Sequence, residues 1–211
     1  MRFKYHPPLL IKKLFSNFIW ETSNEKVILT FDDGPTEETT IKILNILRTN
    51  NIRAVFFCVG DNIQKHPELT EKILEEGHTI GNHTINHKLL TRMNREESIE
   101  EINSFNKLMK EKFNYDVKYF RPPHGRFNLK TNRILNELNL KCVMWSLLTY
   151  DFENTFAKVK YAIDNYLSEI SIIVFHDNIK CTDVIEESLN YTIDQIKKKG
   201  FEFGEPKDCL S

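Results

Sequence analysis

The strongest constraint on the fold is a change of rhythm that recurs along the chain. Short apolar runs rich in Val, Ile and Phe alternate with longer stretches whose apolar residues return every three to four positions. Residues 27–31, 54–59, 78–80, 117–120, 140–145 and 170–175 read as strands, with a further short one at 201–203. Helices are expected at 39–50, 67–76, 94–113, 129–138, 152–167 and 184–199. The third is the plainest. Asn94 can cap it with Glu97 at the N3 position, and Ile99, Ile102, Phe105, Met109 and Phe113 form its apolar stripe. Strand–helix units in series build a parallel sheet, because parallel neighbours need a long crossover between them. Six or seven units in 211 residues fall short of a full eight-fold barrel. The expected fold is therefore α/β, a distorted, incomplete (β/α) barrel.

No linker, repeat or low-complexity stretch divides the chain. Residues 25–211 read as one domain, preceded by an N-terminal strap at 1–24. The strap sets Arg2, Lys4, Lys12 and Lys13 among Leu9, Leu10, Ile11, Leu14, Phe15, Phe18, Ile19 and Trp20. Two readings stand: it packs on the domain, or it is an amphipathic segment that makes peripheral contact with a membrane. Its apolar residues are too interrupted for a secretion signal, and no run approaches the ~20 residues of a membrane span. The expected location is the cytoplasm or the inner membrane face. With 29 basic and 30 acidic side chains, no field favours nucleic acid. The four cysteines, at 58, 142, 181 and 209, form no C-x-x-C pair and are expected to be reduced.

The residues able to do chemistry fall just after strands: Asp32, Asp33, His83, Arg121, Asp151 and His176. In parallel α/β folds the C-terminal strand ends form the active-site face. Asp33, His83 and His87 offer one oxygen and two nitrogen donors, a set that leaves a coordination position open, as catalytic zinc requires. The two histidines are four residues apart and can face one point if the local chain is helical. Asp32, next to Asp33, is then free to take a proton from water, and the Gly34-Pro35 turn would present both carboxylates. His176 can supply an acid. The group suits metal-assisted hydrolysis of an amide or ester. A ferrous oxygenase also uses two histidines and a carboxylate, but it leaves Asp32 and His176 without a task.

Thr30-Phe31-Asp32-Asp33-Gly34-Pro35 together with His83-Thr84-Ile85-Asn86-His87 resembles the polysaccharide deacetylase family, the NodB homology domain or carbohydrate esterase family four. The resemblance implies a distorted β/α barrel and a divalent metal, most often Zn2+, with Co2+ or another divalent cation as alternatives. It implies removal of N- or O-acetyl groups from sugars. By position, Asp32 resembles the catalytic base, and Asp33, His83 and His87 the metal ligands. Arg121-Pro122-Pro123-His124-Gly125 resembles the motif whose arginine orients the catalytic aspartate, with His124 where tyrosine is common. Pro122, Pro123 and His124 would then border the substrate. Ile172-x-Val174-x-His176 resembles the last motif, in which His176 is the general acid and Ile172 and Val174 line the acetyl pocket.

The fourth motif departs from the family. Its D-x-x-D-W stands here as Leu148-Thr149-Tyr150-Asp151-Phe152. Asp151 is retained and is expected to pair with His176, raising its pKa; the changes at Leu148 and Phe152 affect sugar contacts. Trp145 is either core or a stacking platform for a sugar ring. Arg53 is either a contact of the carboxylate network or a surface charge, and a backbone N–H in 119–123 is the expected oxyanion donor. The expected function is a metal-dependent deacetylase acting on an N-acetylated amino-sugar glycan or precursor, with acetylated carbohydrate as its partner and no protein partner implied. The altered fourth motif motivates the alternative, a non-catalytic carbohydrate-binding protein that keeps the barrel and metal site.

Overall fold

A computed structural model describes residues 5–211. Seven strands form one sheet: β1 (Ile28–Asp32), β2 (Val55–Cys58), β3 (Thr79–Asn82), β4 (Tyr119–Phe120), β5 (Lys141–Cys142), β6 (Leu147–Leu148) and β7 (Ile172–His176). Every pairing is parallel, in the order β5-β4-β3-β2-β1-β7-β6. The helices are α1 (Leu9–Leu14), α2 (Glu37–Thr49), α3 (Gly60–Lys65), α4 (Pro67–Glu75), α5 (Arg95–Phe113), α6 (Leu129–Glu137), α7 (Phe156–Tyr166), α8 (Ile185–Lys198) and α9 (Pro206–Cys209). The Asn94–Glu97 capping box forms at the start of α5.

The run at 140–145 is not one strand. Only β5 lies within it; β6, which the sequence pattern did not mark, begins beyond the run, and the two strands lie at opposite edges of the sheet, joined by residues 143–146. This link dictates curvature. Strands sit about 4.8 Å apart, so a flat seven-stranded sheet would hold its edges about 29 Å apart. The five Cα steps from Cys142 to Leu147 reach about 18 Å at most. The sheet therefore curls into an incomplete barrel, and 143–146 crosses the open seam.

The strap reinforces that seam. Ile19 N–H donates to Cys142 O and Met144 N–H to Ile19 O, both at 2.8 Å, on the β5 side; Leu148 N–H donates to Tyr5 O at 2.7 Å on the β6 side. Phe15, Phe18 and Trp20 are buried around Phe127, with ring centroids 4.8, 5.2 and 5.9 Å away. Leu9, Leu10 and Leu14 of α1 remain 69%, 76% and 66% exposed. Arg2 and Lys4 lie outside the described residues.

Alternation along the strands splits the core into two layers. Leu29, Phe31, Phe56, Ile173 and Phe175 face the helices, where they meet Ile43 and Leu47 of α2 and Leu189 and Ile193 of α8. Ile28, Val55, Phe57, Ile172 and Val174 face the barrel interior. Strands buried on both faces carry continuous apolar runs. The helix expected at 152–167 begins only at Phe156, because Asp151–Glu153 form a 3-10 turn between left-handed Tyr150 and Asn154. All four cysteines are free and buried. Among the described residues no helix is long and apolar enough to cross a membrane.

Candidate active site

Register brings the central residues together. Asp32 lies opposite His176 on β7 and Phe57 on β2, so the carboxylate and the imidazole share the interior face at the C-terminal end of the sheet. A cleft of about 810 Å³ opens there, and Asp32, Asp33, His83, His87, His124 and His176 all line it.

Asp33, His83 and His87 offer three ligand atoms that all lie within 4.8 Å of one another. Asp33 Oδ1 is 3.2 Å from His87 Nε2 and 3.6 Å from His83 Nε2. His83 Nδ1 lies 2.7 Å from Arg121 O. A carbonyl only accepts, so Nδ1 carries the proton and Nε2 keeps its lone pair for a metal. Burial pushes His83 down to about 4, against the fields of Asp32 and Asp33, so it is neutral at pH 7, as a ligand must be. Its closeness to Asp33 is thus a shared donor set rather than an ion pair. Burial opposes charge on Asp33, yet the His87 hydrogen bond and the surrounding histidines hold its carboxyl well below the usual range. The donor set fits a divalent cation. The turn carrying the histidines is not helical: Thr84 and His87 are left-handed, with φ 68° and 54°. Asp33 itself has φ 80°, a conformation that non-glycine residues adopt only when neighbours hold it. Asn62 Nδ2 donates to Asp33 O at 2.7 Å and Asn178 Nδ2 to Asp33 Oδ2 at 2.8 Å.

Arg121 is fully buried beneath Asp32. Its Nη1 donates to Asp32 Oδ1 and Thr30 Oγ1, both at 2.7 Å, Nε donates to Val143 O at 3.0 Å, and Nη2 to Met144 O at 2.8 Å. The guanidinium carbon lies 4.1 Å from the Phe57 ring centroid. One side chain thereby fixes Asp32 and ties down the seam segment. A buried charge is tolerable only when paired and hydrogen-bonded in this way.

His176 Nδ1 is 2.8 Å from Asp151 Oδ1, and its backbone N–H donates to Asp151 Oδ2 at 2.7 Å. Burial alone would lower the His176 pKa; the charge and hydrogen bond of Asp151, with the fields of Asp33 and Asp32, outweigh it and raise the imidazole to about 9. Phe152 packs edge-on to the His176 ring at 4.9 Å.

Of the remaining sequence candidates, His124, Trp145 and Val174 line the cleft. His124 is left-handed at φ 56°, exposed, with its ring 4.6 Å from that of His87. Partial desolvation of the ring by the cleft wall and the neighbouring His87 push its pKa down. Trp145 is buried, and its Nε1 has no acceptor among the described residues. Gly125 makes room for it, since a Cβ there would fall 2.2 Å from the indole. Pro122, Pro123 and Ile172 do not line the cleft; Ile172 packs in the barrel interior. Arg53 lies at the N-terminal end of β2, away from the strand ends that carry the site, against Gly77 and near His78. It makes no contact with the carboxylates. In the stretch 119–123, Arg121 N–H is taken by Asn82 O and the two prolines carry no N–H, so the first N–H beyond them is that of His124.

Sequence reasoning missed a knot beneath the Asp32–Thr36 turn. Buried Asp177 accepts from Thr36 Oγ1 at 3.0 Å and Thr40 Oγ1 at 2.6 Å, and its N–H donates to Asp32 O at 2.7 Å. Burial pushes its carboxyl up to about 7, against the two hydroxyls. Gly34 is required by this approach, because a Cβ there would lie 2.1 Å from Asp177 Oδ2. The available signal was an Asp-Asn pair directly after a strand and next to His176.

The polysaccharide deacetylase family model matches residues 20–143. A peptidoglycan-N-acetylglucosamine deacetylase of Bacillus cereus is 33% identical over 190 residues, covering 87% of this chain and 88% of the relative. The peptidoglycan-N-acetylglucosamine deacetylase PgdA of Listeria monocytogenes is 31% identical over 183 residues; the match covers 86% of this chain but only 38% of that protein's length. A crystallised peptidoglycan N-acetylglucosamine deacetylase superposes with a TM-score of 0.89 at 28% identity, covering 97% of each chain.

Proposed function

This chain belongs to the polysaccharide deacetylase family, and we propose that it is a metal-dependent hydrolase that removes the acetyl group from the nitrogen of an amino sugar in a glycan or glycan precursor. The observation that carries the reading is the convergence of three units on one cleft: Asp33–His83–His87, Asp32 held by Arg121, and His176 held by Asp151. A pure binding protein has no use for an imidazole kept protonated beside a clamped carboxylate. Residues 25–211 would form the catalytic unit and 1–24 its strap.

Asp33, His83 and His87 would hold the divalent cation, with Zn2+ favoured by two imidazole nitrogens and one carboxylate oxygen. When bound, it acidifies water and polarises the acetyl carbonyl. Asp32 takes the proton from the attacking water, with Arg121 fixing the carboxylate. The oxyanion donor expected in 119–123 would then be the N–H of His124, the first beyond the two prolines. His176, protonated through Asp151, delivers its proton to the departing amine, and acetate leaves. Val174 would wall the acetyl group, and the Trp145 side chain would form part of the same wall.

The test is acetate release from N-acetylglucosamine oligomers and peptidoglycan fragments after chelation, with and without added Zn2+ or Co2+. Metal-dependent release that Asp32→Asn abolishes while leaving metal binding intact is expected. Full turnover by Asp32→Asn would refute the assignment of the base.

A further inference from the structure

The turn that carries His83 and His87 is held from outside the cleft. Thr84 is left-handed at φ 68°, rare for a β-branched residue, and His87 is left-handed at φ 54°. Such a backbone persists only where neighbours fix it. The support is visible in where the backbone donors of the turn go. His83 N–H donates to Cys58 O at 3.0 Å and Thr84 N–H to Asn82 Oδ1 at 2.7 Å. The next two go to a single residue of α5. Ile85 N–H donates to Glu101 O at 3.0 Å, and Asn86 N–H to Glu101 Oε2 at 3.1 Å. Asn86 Nδ2 donates to Glu101 Oε1 at 3.0 Å, and Lys88 Nζ lies 3.1 Å from the same oxygen.

Glu101 is buried, does not line the cleft and stands outside the family motifs. A carboxylate in that position is costly unless it is paired and hydrogen-bonded, and here both of its oxygens face residues 86–88. The same helix steadies the start of the turn. Asn82 Nδ2 donates to Ile102 O at 2.9 Å and Asn106 Oδ1 at 2.8 Å, which aims Asn82 Oδ1 at Thr84 N–H. From the other side, Gly60 and Asp61 of α3 donate their N–H groups to Thr84 O and Ile85 O at 3.1 and 2.9 Å. The turn is gripped between two helices, and Glu101 is the side chain that reaches its His87 half.

Resting on the metal-dependent reading, we propose that Glu101 is a positioning residue for the candidate metal site. By holding residues 85–88 it keeps His87 beside His83 and Asp33 before a cation arrives. It touches neither cation nor substrate. When ligands must first be ordered, affinity falls by the fraction of molecules in which the turn is already formed. Glu101→Gln keeps the size of the side chain but turns one acceptor into a donor that confronts Asn86 or Lys88. Zn2+ affinity should fall about 10- to 100-fold, as for other supports of metal ligands. At saturating Zn2+, kcat should stay within about threefold, because Asp32, Arg121, Asp151 and His176 are untouched.

The experiment is competition for Zn2+ between a chromophoric chelator and metal-free protein: wild type, Glu101→Gln, Asn86→Ala, the double variant and Met109→Ala. Met109 is buried in α5 within the helix-facing core, so its truncation controls for lost stability alone. The expected result is weakened binding in Glu101→Gln, a smaller loss in Asn86→Ala, no further loss in the double variant, and wild-type affinity in Met109→Ala. The missing increment in the double variant marks a shared contact. Unchanged Zn2+ affinity in folded Glu101→Gln, or an equal fall in Met109→Ala, would overturn the role. Asn86 is exposed, so its variant decides the matter if Glu101→Gln does not fold: unchanged affinity there overturns the proposal, and a several-fold loss supports it. Zn2+ binding is read without turnover. Weakened binding in Glu101→Gln with no acetate release from the wild type would sink the deacetylase reading and keep the positioning role, whereas release with unchanged affinity would do the reverse.

Discussion

Replacing Asp151 by Asn tests the acid half of the site. Asp151 is fully buried and gives both carboxylate oxygens to His176, one to the ring and one to the backbone N–H. The imidazole stands at about 9 against an ordinary 6.5, so it is about 97% protonated at pH 7.5. Without the carboxylate charge, burial is the dominant influence and carries the imidazole below its ordinary value. Less than about 10% would then be protonated at pH 7.5, a tenfold loss from protonation alone. Lost orientation brings the total to roughly 10²–10⁴ in kcat. The imidazole titration is read by NMR on metal-free protein and the alkaline limb of kcat/KM on the loaded enzyme. A dication at Asp33 cancels one of the fields that raise His176, so the loaded limb lies below the metal-free value, but replacement of Asp151 moves both downward. Stability carries the same signature. Because the folded pKa exceeds the unfolded one, the contribution is complete below about 6.5 and disappears as pH rises through about 9. It is on the order of 3 kcal/mol, so the variant should lose more stability at pH 6 than at pH 10. An unmoved titration, or activity within threefold of the wild type, would refute this account of His176.

Asn178→Ala removes the donor to Asp33 Oδ2, and metal affinity by calorimetry should fall about 10- to 100-fold, as for other supports of metal ligands; unchanged affinity would leave Asn178 without this role. Arg121→Met strands the Asp32 carboxylate in the interior and frees the carbonyls of Val143 and Met144. Urea unfolding should show a loss of about 3–5 kcal/mol, and a loss under 1 kcal/mol would contradict the clamp. Leu9→Ser, Leu10→Ser and Leu14→Ser together should reduce partitioning onto anionic vesicles if α1 meets lipid. These exposed positions give a cleaner test than deleting the strap, whose Phe15, Phe18 and Trp20 are core; equal partitioning would end the membrane reading.

The strand rhythm was legible because strands buried on both faces cannot alternate with polar residues. The same physics hid the break at 143–146. Val143 and Met144 cross the seam fully buried, so their composition is that of a strand, and only the diversion of their carbonyls to Arg121 ends the ladder on that side. The ligating residues were visible as a spacing, but the turn that aims them was not: left-handed Thr84 and His87 are neither Gly nor Asn, so no residue type announced them. Arg53 was a candidate through its nearness to an apolar strand, yet it precedes β2, and strand direction puts it at the wrong end of the sheet.

Arg121 joins these separate readings. Its guanidinium touches β1 through Thr30 and Asp32, lies over Phe57 of β2, and holds the segment that bridges β5 and β6. Its own carbonyl accepts from His83 Nδ1, which fixes the tautomer of a candidate metal ligand. The closure of the barrel, the aim of the base and the donor state of a ligand thus depend on one buried cation. Perturbing the seam should therefore disturb chemistry as readily as stability, and the strap, which bonds to both edges of that seam through Tyr5 and Ile19, lies on the same line of force.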